Sequence, residues 1–149
     1  MPRATSKSKA SVKHEVQLIT LFDVDVNVEG LDEEGEYKLA YDIFVTSLQE
    51  LGDGVFGFTC HASVAKKRSD KEQNQAQISA AYACSVYSPN ATIKTLEPVA
   101  KGYAATMVWS QFTSLFGILA HQMRIEFPPL PVTPIEVDIR QLDELEERE

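Results

Sequence analysis

Apolar and polar residues alternate along the first third of the chain, as they do in β-strands that bury one face. The alternation is clearest in the second half of residues 16–28. Four apolar side chains there occupy every second position, and polar ones separate them: Phe22, Val24, Val26 and Val28 against Asp23, Asp25 and Asn27. The pattern predicts a half-buried strand.

Three further strands are predicted, over residues 37–51, 55–67 and 76–88. The first and third of these alternate, and the second is rich in β-branched and aromatic residues. The Gly-Asp-Gly sequence at 52–54 predicts a hairpin turn. Consecutive strands with short links pair antiparallel, because parallel pairing needs a longer crossover. We therefore expect a four-stranded antiparallel sheet.

A long helix is predicted over residues 103–127, because large apolar side chains recur there at intervals of three and four. They are Val108, Phe112, Leu115, Phe116, Leu119, Met123 and Phe127. The prolines that begin at Pro128 require the helix to stop near Glu126. Thr133, Pro134 and Glu136 have the order of an N-cap, a first-turn proline and a capping-box acid, so a second, acidic helix is expected. Strands followed by helices indicate an α+β domain with the helices on one face of the sheet.

The segment after the long helix also carries a motif, Phe-Pro-x-Leu-x-x-x-Pro-Ile-x-Val-Asp over residues 127–138. This order resembles the C-terminal signature of the SecB family of export chaperones, with Ile135 and Val137 as conservative changes. The resemblance implies a SecB-like fold: a four-stranded antiparallel sheet, a long helix, a proline-rich turn and a C-terminal helix. We assign that domain to residues 14–145.

Some apolar area on the long helix exceeds what one sheet face can bury, because Met107 and Trp109 lie away from the main stripe. The resemblance gives such surface a role, since SecB-type chaperones hold unfolded chains in hydrophobic grooves without ATP and assemble as homotetramers, dimers of dimers. The expected client-binding groove consists of Met107, Trp109, Phe112, Phe116, Met123, Phe127, Leu130 and Val132.

The resemblance further implies docking of the export motor SecA on acids of the outer sheet face, here Asp23 and Asp25. Asn27 and Ser85 replace two of the family's acids, which weakens that expectation. Some SecB-like proteins instead protect the antitoxin of a toxin–antitoxin pair. Protein export with preproteins as clients is thus the first hypothesis and an antitoxin chaperone the second. A structural or interaction subunit with the same fold is a third, and a small-ligand enzyme comes last.

Composition and charge narrow the class of protein. The chain has 149 residues, enough for one domain, and a net charge of −8, which argues against nucleic-acid binding. No apolar run approaches the roughly 18 residues of a membrane span. Without a secretory signal, we expect a cytoplasmic protein. Residues 1–13 are predicted to be a disordered basic tail and residues 146–149 an acidic one.

No arrangement of catalytic or metal-binding residues stands out, so we expect neither an enzyme nor a cofactor. His14, His61 and His121 are scattered along the chain. Cys60 and His61 are adjacent in a strand and should point to opposite faces. Cys60 and Cys84 are expected to be buried free thiols.

Overall fold

The computed structural model describes residues 15–29, 36–68, 74–134 and 136–141, and the α+β class is confirmed. The two predicted tails lie outside these residues. The elements are β1 (Glu15–Val28), β2 (Tyr37–Gly52), β3 (Val55–Arg68), β4 (Asn74–Tyr87), α1 (Ile93–Tyr103), a π-helical turn (Ala104–Val108), α2 (Trp109–Met123) and β5 (Asp138–Ile139).

The strands form one sheet in the order β1-β4-β3-β2-β5. The four long strands pair antiparallel, as predicted, but β1 lies beside β4 and not beside β2. The eight residues between β1 and β2 can span about 26 Å when extended. This exceeds the roughly 14 Å of three strand spacings. The link is therefore long enough to span the two intervening strands. Its length alone does not decide whether β1 pairs with β2 or with β4.

The core lies between the helices and one face of β2, β3 and β4. The alternation predicted for β2 and β4 is confirmed, because the alternate residues Ile43 and Val45 are no more than 1% exposed, as are Ile78 and Val86 on one face of β4. The helices contribute Leu96, Ala100, Ala104, Val108, Phe112, Phe116 and Ala120, all buried.

Strand β1 is much more exposed than the predicted half-buried strand. Val24, Val26 and Val28 lie on the helix side of the sheet, opposite buried residues of β4, yet they are 39–40% exposed. Phe22 falls at an irregularity in the pairing and is 59% exposed. Ile19 packs against the core, but the helices leave the rest of this edge largely uncovered, so the apolar face of β1 at Val24, Val26 and Val28 is open to solvent within the described part of the chain.

The helical region begins ten residues earlier than predicted and ends at Met123. The side chain of Thr92 accepts a hydrogen bond from the Thr95 amide, and the Thr95 side chain accepts one from the Thr92 amide, which forms a capping box for α1. At the other end, Arg124 adopts the left-handed conformation, with φ of 57°. This C-cap stops the helix before the prolines do.

The C-terminal helix predicted from Pro134 onward is absent from the described residues, and the sheet gains a fifth strand instead. Strand β5 pairs parallel to β2 at Phe44 and Val45. The Arg140 amide donates to the Val45 carbonyl oxygen at 2.8 Å. The Arg140 guanidinium binds both carboxylate oxygens of Asp42, at 2.9 and 3.0 Å. Val137 and Ile139 are two residues apart and both pack against the core, as expected for a strand and not for the predicted helix.

Candidate functional site

A row of aromatic rings joins strand β2, helix α2 and the segment after it. The centroid distances between successive rings are 5.4 Å for Tyr41–Trp109, 5.6 Å for Trp109–Phe112, 6.3 Å for Phe112–Phe116 and 4.8 Å for Phe116–Phe127. The rings are tilted or edge-on to one another, which is the arrangement that aromatic pairs favour. We call these five residues the aromatic row.

Trp109 is fully buried, contrary to the prediction that it lies off the apolar stripe. Trp109 begins α2 three residues before Phe112 and therefore shares its face. The π-helical turn directly before it holds more residues than an α-helical turn and sets the phase of α2 relative to α1. The indole N–H donates to the Pro131 carbonyl oxygen at 3.0 Å. This bond ties the start of α2 to the proline-rich segment 22 residues later.

A groove of about 470 Å³ lies where the helical region faces that segment. Its helical wall bears small and hydroxyl-containing side chains, and the opposite wall is mainly apolar. The two walls are Ala105, Thr106, Ser110 and Thr113, and Leu130, Pro131, Val132 and Thr133. Val132 is 93% exposed. The groove therefore offers apolar contact area without charged side chains in its walls.

The residues predicted to line a client-binding groove divide into three groups. Trp109, Phe112 and Phe116 belong to the core and are not accessible to a client in this conformation. Met123, Phe127 and Leu130 are partly buried against it. Met107 and Val132 are exposed. Of the eight predicted residues, three are therefore buried beneath the surface, and only Met107 and Val132 are exposed and accessible to a client.

A second cavity, of about 410 Å³, lies beside the edge of β2. Its lining is apolar on one side and acidic on the other: Leu39, Ala40, Tyr41, Asp42, Glu136 and Asp138. Tyr41 also contacts Trp109, so β2 contributes directly to this region. Sequence reasoning missed the contribution of β2, because it depends on where the C-terminal segment crosses the sheet.

The outer face of the sheet carries the two acids expected to dock SecA. Asp23 and Asp25 are exposed, opposite Ala81 and Ser79 of β4. Asp23 and His61 also line a small cavity of about 190 Å³.

His61 lies on that outer face, whereas Cys60 faces the core, as predicted. The imidazole ring of His61 stacks on the Phe44 ring, with centroids 4.8 Å apart. The Nε2 atom of His61 lies 2.9 Å from the Thr46 hydroxyl oxygen. Burial lowers the pKa of His61, and Arg140 lowers it further, while Asp23 opposes the shift. A neutral imidazole is the favoured form in the folded protein.

The exposed side of the helical region is uncharged from Gly102 to Gln122. No Asp, Glu, Lys or Arg occurs between Lys101 and Arg124. The exposed residues are Gly102, Thr106, Met107, Ser110, Gln111, Ser114, Gly117, Ile118, His121 and Gln122. Small and uncharged side chains of this kind allow another helix to approach closely, whereas a solvent-facing helix usually carries charges.

The fold is similar to that of a known chaperone. The structure of the Mycobacterium tuberculosis Rv1957 SecB-like chaperone in complex with a ChAD peptide from the Rv1956 HigA1 antitoxin matches this chain with a TM-score of 0.54. The two sequences are 14% identical, and the match covers 81% of this chain and 88% of the other. No protein-family model matches the chain, and no curated protein matches its sequence. The likeness is therefore one of fold.

Within the described residues, no helix combines the length and the apolar character needed to cross a membrane.

Proposed function

We propose that this protein is an ATP-independent, SecB-like chaperone that holds segments of unfolded polypeptide. One observation carries the proposal. In a fold similar to that of a SecB-like chaperone, the aromatic row and the Trp109–Pro131 bond support a groove whose accessible side chains include Leu130 and Val132. Uncharged grooves of this kind bind apolar side chains without demanding one sequence.

The edge of β2 supplies a second means of binding. Strand β2 has 16 residues, and β5 pairs with it at Phe44 and Val45 alone. An extended polypeptide can add to a sheet edge through backbone hydrogen bonds, whatever its side chains. The cavity beside Leu39 and Tyr41 would then accept apolar or basic side chains of the same client. No step of this binding requires a nucleotide or a catalytic residue.

Two uncovered surfaces support assembly into a homo-oligomer. The edge of β1, which no other described strand pairs, and its apolar face fit a second copy of β1, because pairing two such edges satisfies both backbones. The uncharged side of the helical region fits a second contact between helices. Together they support the dimer of dimers that the SecB resemblance implies.

A dedicated antitoxin chaperone is the second candidate. The similar structure holds an antitoxin peptide, and Asn27 and Ser85 stand where the export family has acids. The export role rests on Asp23 and Asp25 as a docking surface for SecA, in a cytoplasmic protein.

Light scattering from a chemically unfolded and diluted client, with and without this protein and without nucleotide, tests the proposal. Suppression of aggregation at a near-stoichiometric ratio is expected. The Met107→Asp/Val132→Asp double variant should lose most of the suppression, because both side chains are exposed and charge opposes apolar binding. Leu51→Asp is a matched control, since Leu51 is an exposed apolar residue, at 58%, near the end of β2 that is far from the cavity at Leu39 and Tyr41.

Failure of a folded oligomer to suppress aggregation would favour a structural subunit that shares only the fold. Binding of purified SecA, and its loss in Asp23→Asn/Asp25→Asn, would favour export. Binding of an antitoxin segment without SecA binding would favour the second candidate.

A further inference from the structure

The only two cysteines of the chain lie side by side in the core. Cys60 in β3 and Cys84 in β4 are both free and buried, with their Sγ atoms 3.9 Å apart. Cys60 pairs with Tyr82, and Cys84 pairs with Phe58. The cysteines are therefore diagonal neighbours on the helix-facing side of two adjacent strands.

The two thiols are not equivalent. The hydrogen bond with Cys60 lowers the pKa of Cys84, against the opposing effect of burial. The same hydrogen bond and burial both raise the pKa of Cys60. Cys84 also retains 6% exposure, whereas Cys60 has none. A small oxidant can reach only the cysteine that retains exposure, so Cys84 is the nucleophile of the pair and Cys60 the resolving thiol.

We propose that Cys60 and Cys84 form a reversible dithiol site that reduces a small peroxide and becomes a disulfide between β3 and β4. The Cys84 thiolate attacks one oxygen of hydrogen peroxide, which breaks the O–O bond and gives a sulfenic acid and hydroxide. The Cys60 sulfur then attacks the Cys84 sulfur, and the sulfenic oxygen leaves as water. In total, two thiols and one peroxide give one disulfide and two waters.

The register of the two strands indicates that this disulfide is a switch and not a permanent cross-link. Diagonal neighbours in antiparallel strands have Cα atoms about 7–8 Å apart. Disulfides usually join Cα atoms about 4.4–6.8 Å apart. The strands must therefore shift for the bond to close, and strained disulfides are the more readily reduced ones. A thiol reductant should restore both cysteines.

The test is a thiol count on the intact wild-type protein and needs no client, so it is independent of the proposed chaperone function. Native protein is treated with hydrogen peroxide, quenched with catalase, unfolded and alkylated with N-ethylmaleimide, and its mass is measured. We expect the treated chain to carry no N-ethylmaleimide and to weigh about 2 Da less than the reduced chain before alkylation. Treatment with dithiothreitol before alkylation should restore both alkylation sites.

Three outcomes would overturn the proposal: both thiols survive, the chain gains oxygen atoms without cross-linking, or the disulfide joins two chains. The variants assign the roles. In Cys60→Ser, Cys84 should give a sulfenic acid that dimedone traps, because no resolving thiol remains. In Cys84→Ser, the remaining thiol should react at least about tenfold more slowly. Equal rates would overturn the assignment of Cys84 as nucleophile.

Discussion

The indole nitrogen of Trp109 lies 3.0 Å from the carbonyl oxygen of Pro131, and this hydrogen bond sets the position of the wall opposite the helix. Proline cannot donate a backbone hydrogen bond, so a segment rich in proline has few ways to anchor itself. A buried side-chain donor on α2 supplies the anchor. The groove beside it depends on that contact.

Replacement of Trp109 by Phe is expected to loosen this wall. The variant keeps an aromatic ring but loses the hydrogen bond and some buried area. We expect a loss of about 1–3 kcal/mol in the free energy of unfolding. Urea unfolding followed by circular dichroism measures it. Met107→Leu is the control, because Met107 is 46% exposed and its change should stay within about 0.5 kcal/mol. A Trp109→Phe protein as stable as the wild type would contradict the anchoring role.

Replacement of Asp42 by Asn should release β5 from the edge of β2. The pair with Arg140 is bidentate, but the Asp42 side chain is 44% exposed, so water screens it. We expect a stability loss of roughly 0.5–1 kcal/mol or less and faster hydrogen exchange at the Arg140 amide. Asp138→Asn is the control, since its single contact with Arg140 is longer, at 3.4 Å. Unchanged exchange in Asp42→Asn would show that the backbone bonds alone hold the strand.

The stability of the protein should fall as His61 titrates. Its pKa is lowered in the folded state, by burial first, so the unfolded chain binds the proton more readily. Stability should therefore decrease as the pH falls through about 6.5. The loss should be complete below the folded-state pKa. Urea midpoints at pH 7.5 and 5.5 measure the effect (about one unit on either side of the free imidazole).

His61→Gln should remove this part of the pH dependence, because glutamine can still hydrogen-bond to Thr46 but does not titrate. His121→Gln changes an exposed histidine on α2 and is the control. Equal pH dependence in the wild type and His61→Gln would refute the assignment.

Gly117→Arg tests the uncharged side of the helical region. No atom within 4 Å would meet a Cβ at this position, so the monomer should fold normally. An arginine there would place a charge in any contact between helices of two copies. We expect a smaller particle mass by light scattering and an unchanged circular dichroism spectrum. Gly117→Ala should keep the wild-type mass. A full-size Gly117→Arg oligomer would place the assembly surface elsewhere.

Alternation and β-branched content predicted the four long strands correctly, because both are local properties of the sequence. The prediction that consecutive strands pair was wrong for β1, since the choice between β2 and β4 as its partner depends on long-range packing. The C-terminal helix was predicted wrongly for another reason. Thr133, Pro134 and Glu136 match a helix start, but Val137 and Ile139 also alternate, and the edge of β2 together with Asp42 decides for the strand.

The accessibility of the residues expected in the groove was not predicted from the sequence. Phe112 and Phe116 were expected in the groove, and both are core residues. A charged replacement of Phe116 would therefore unfold the protein, and it is a poor test of client binding. The exposed Met107 could not be separated from the buried helix residues by sequence, because the phase of the helix changes between Ala104 and Val108. The exposure of Val132 depends on the path of the proline-rich segment across the helical region, which has no periodic pattern to predict it.

That change of phase solves a problem of spacing along the whole helical region. Its buried positions recur at every fourth residue from Leu96 to Ala120. In a regular α-helix each such step overshoots a full turn by about 40°, so the row would wind well over half-way around the helix. The wider turn in the middle takes up part of this excess and keeps the row facing one sheet. Deleting one residue there would tighten the turn and rotate α1 against α2 by about 100°, which would bring Leu96 out of the core.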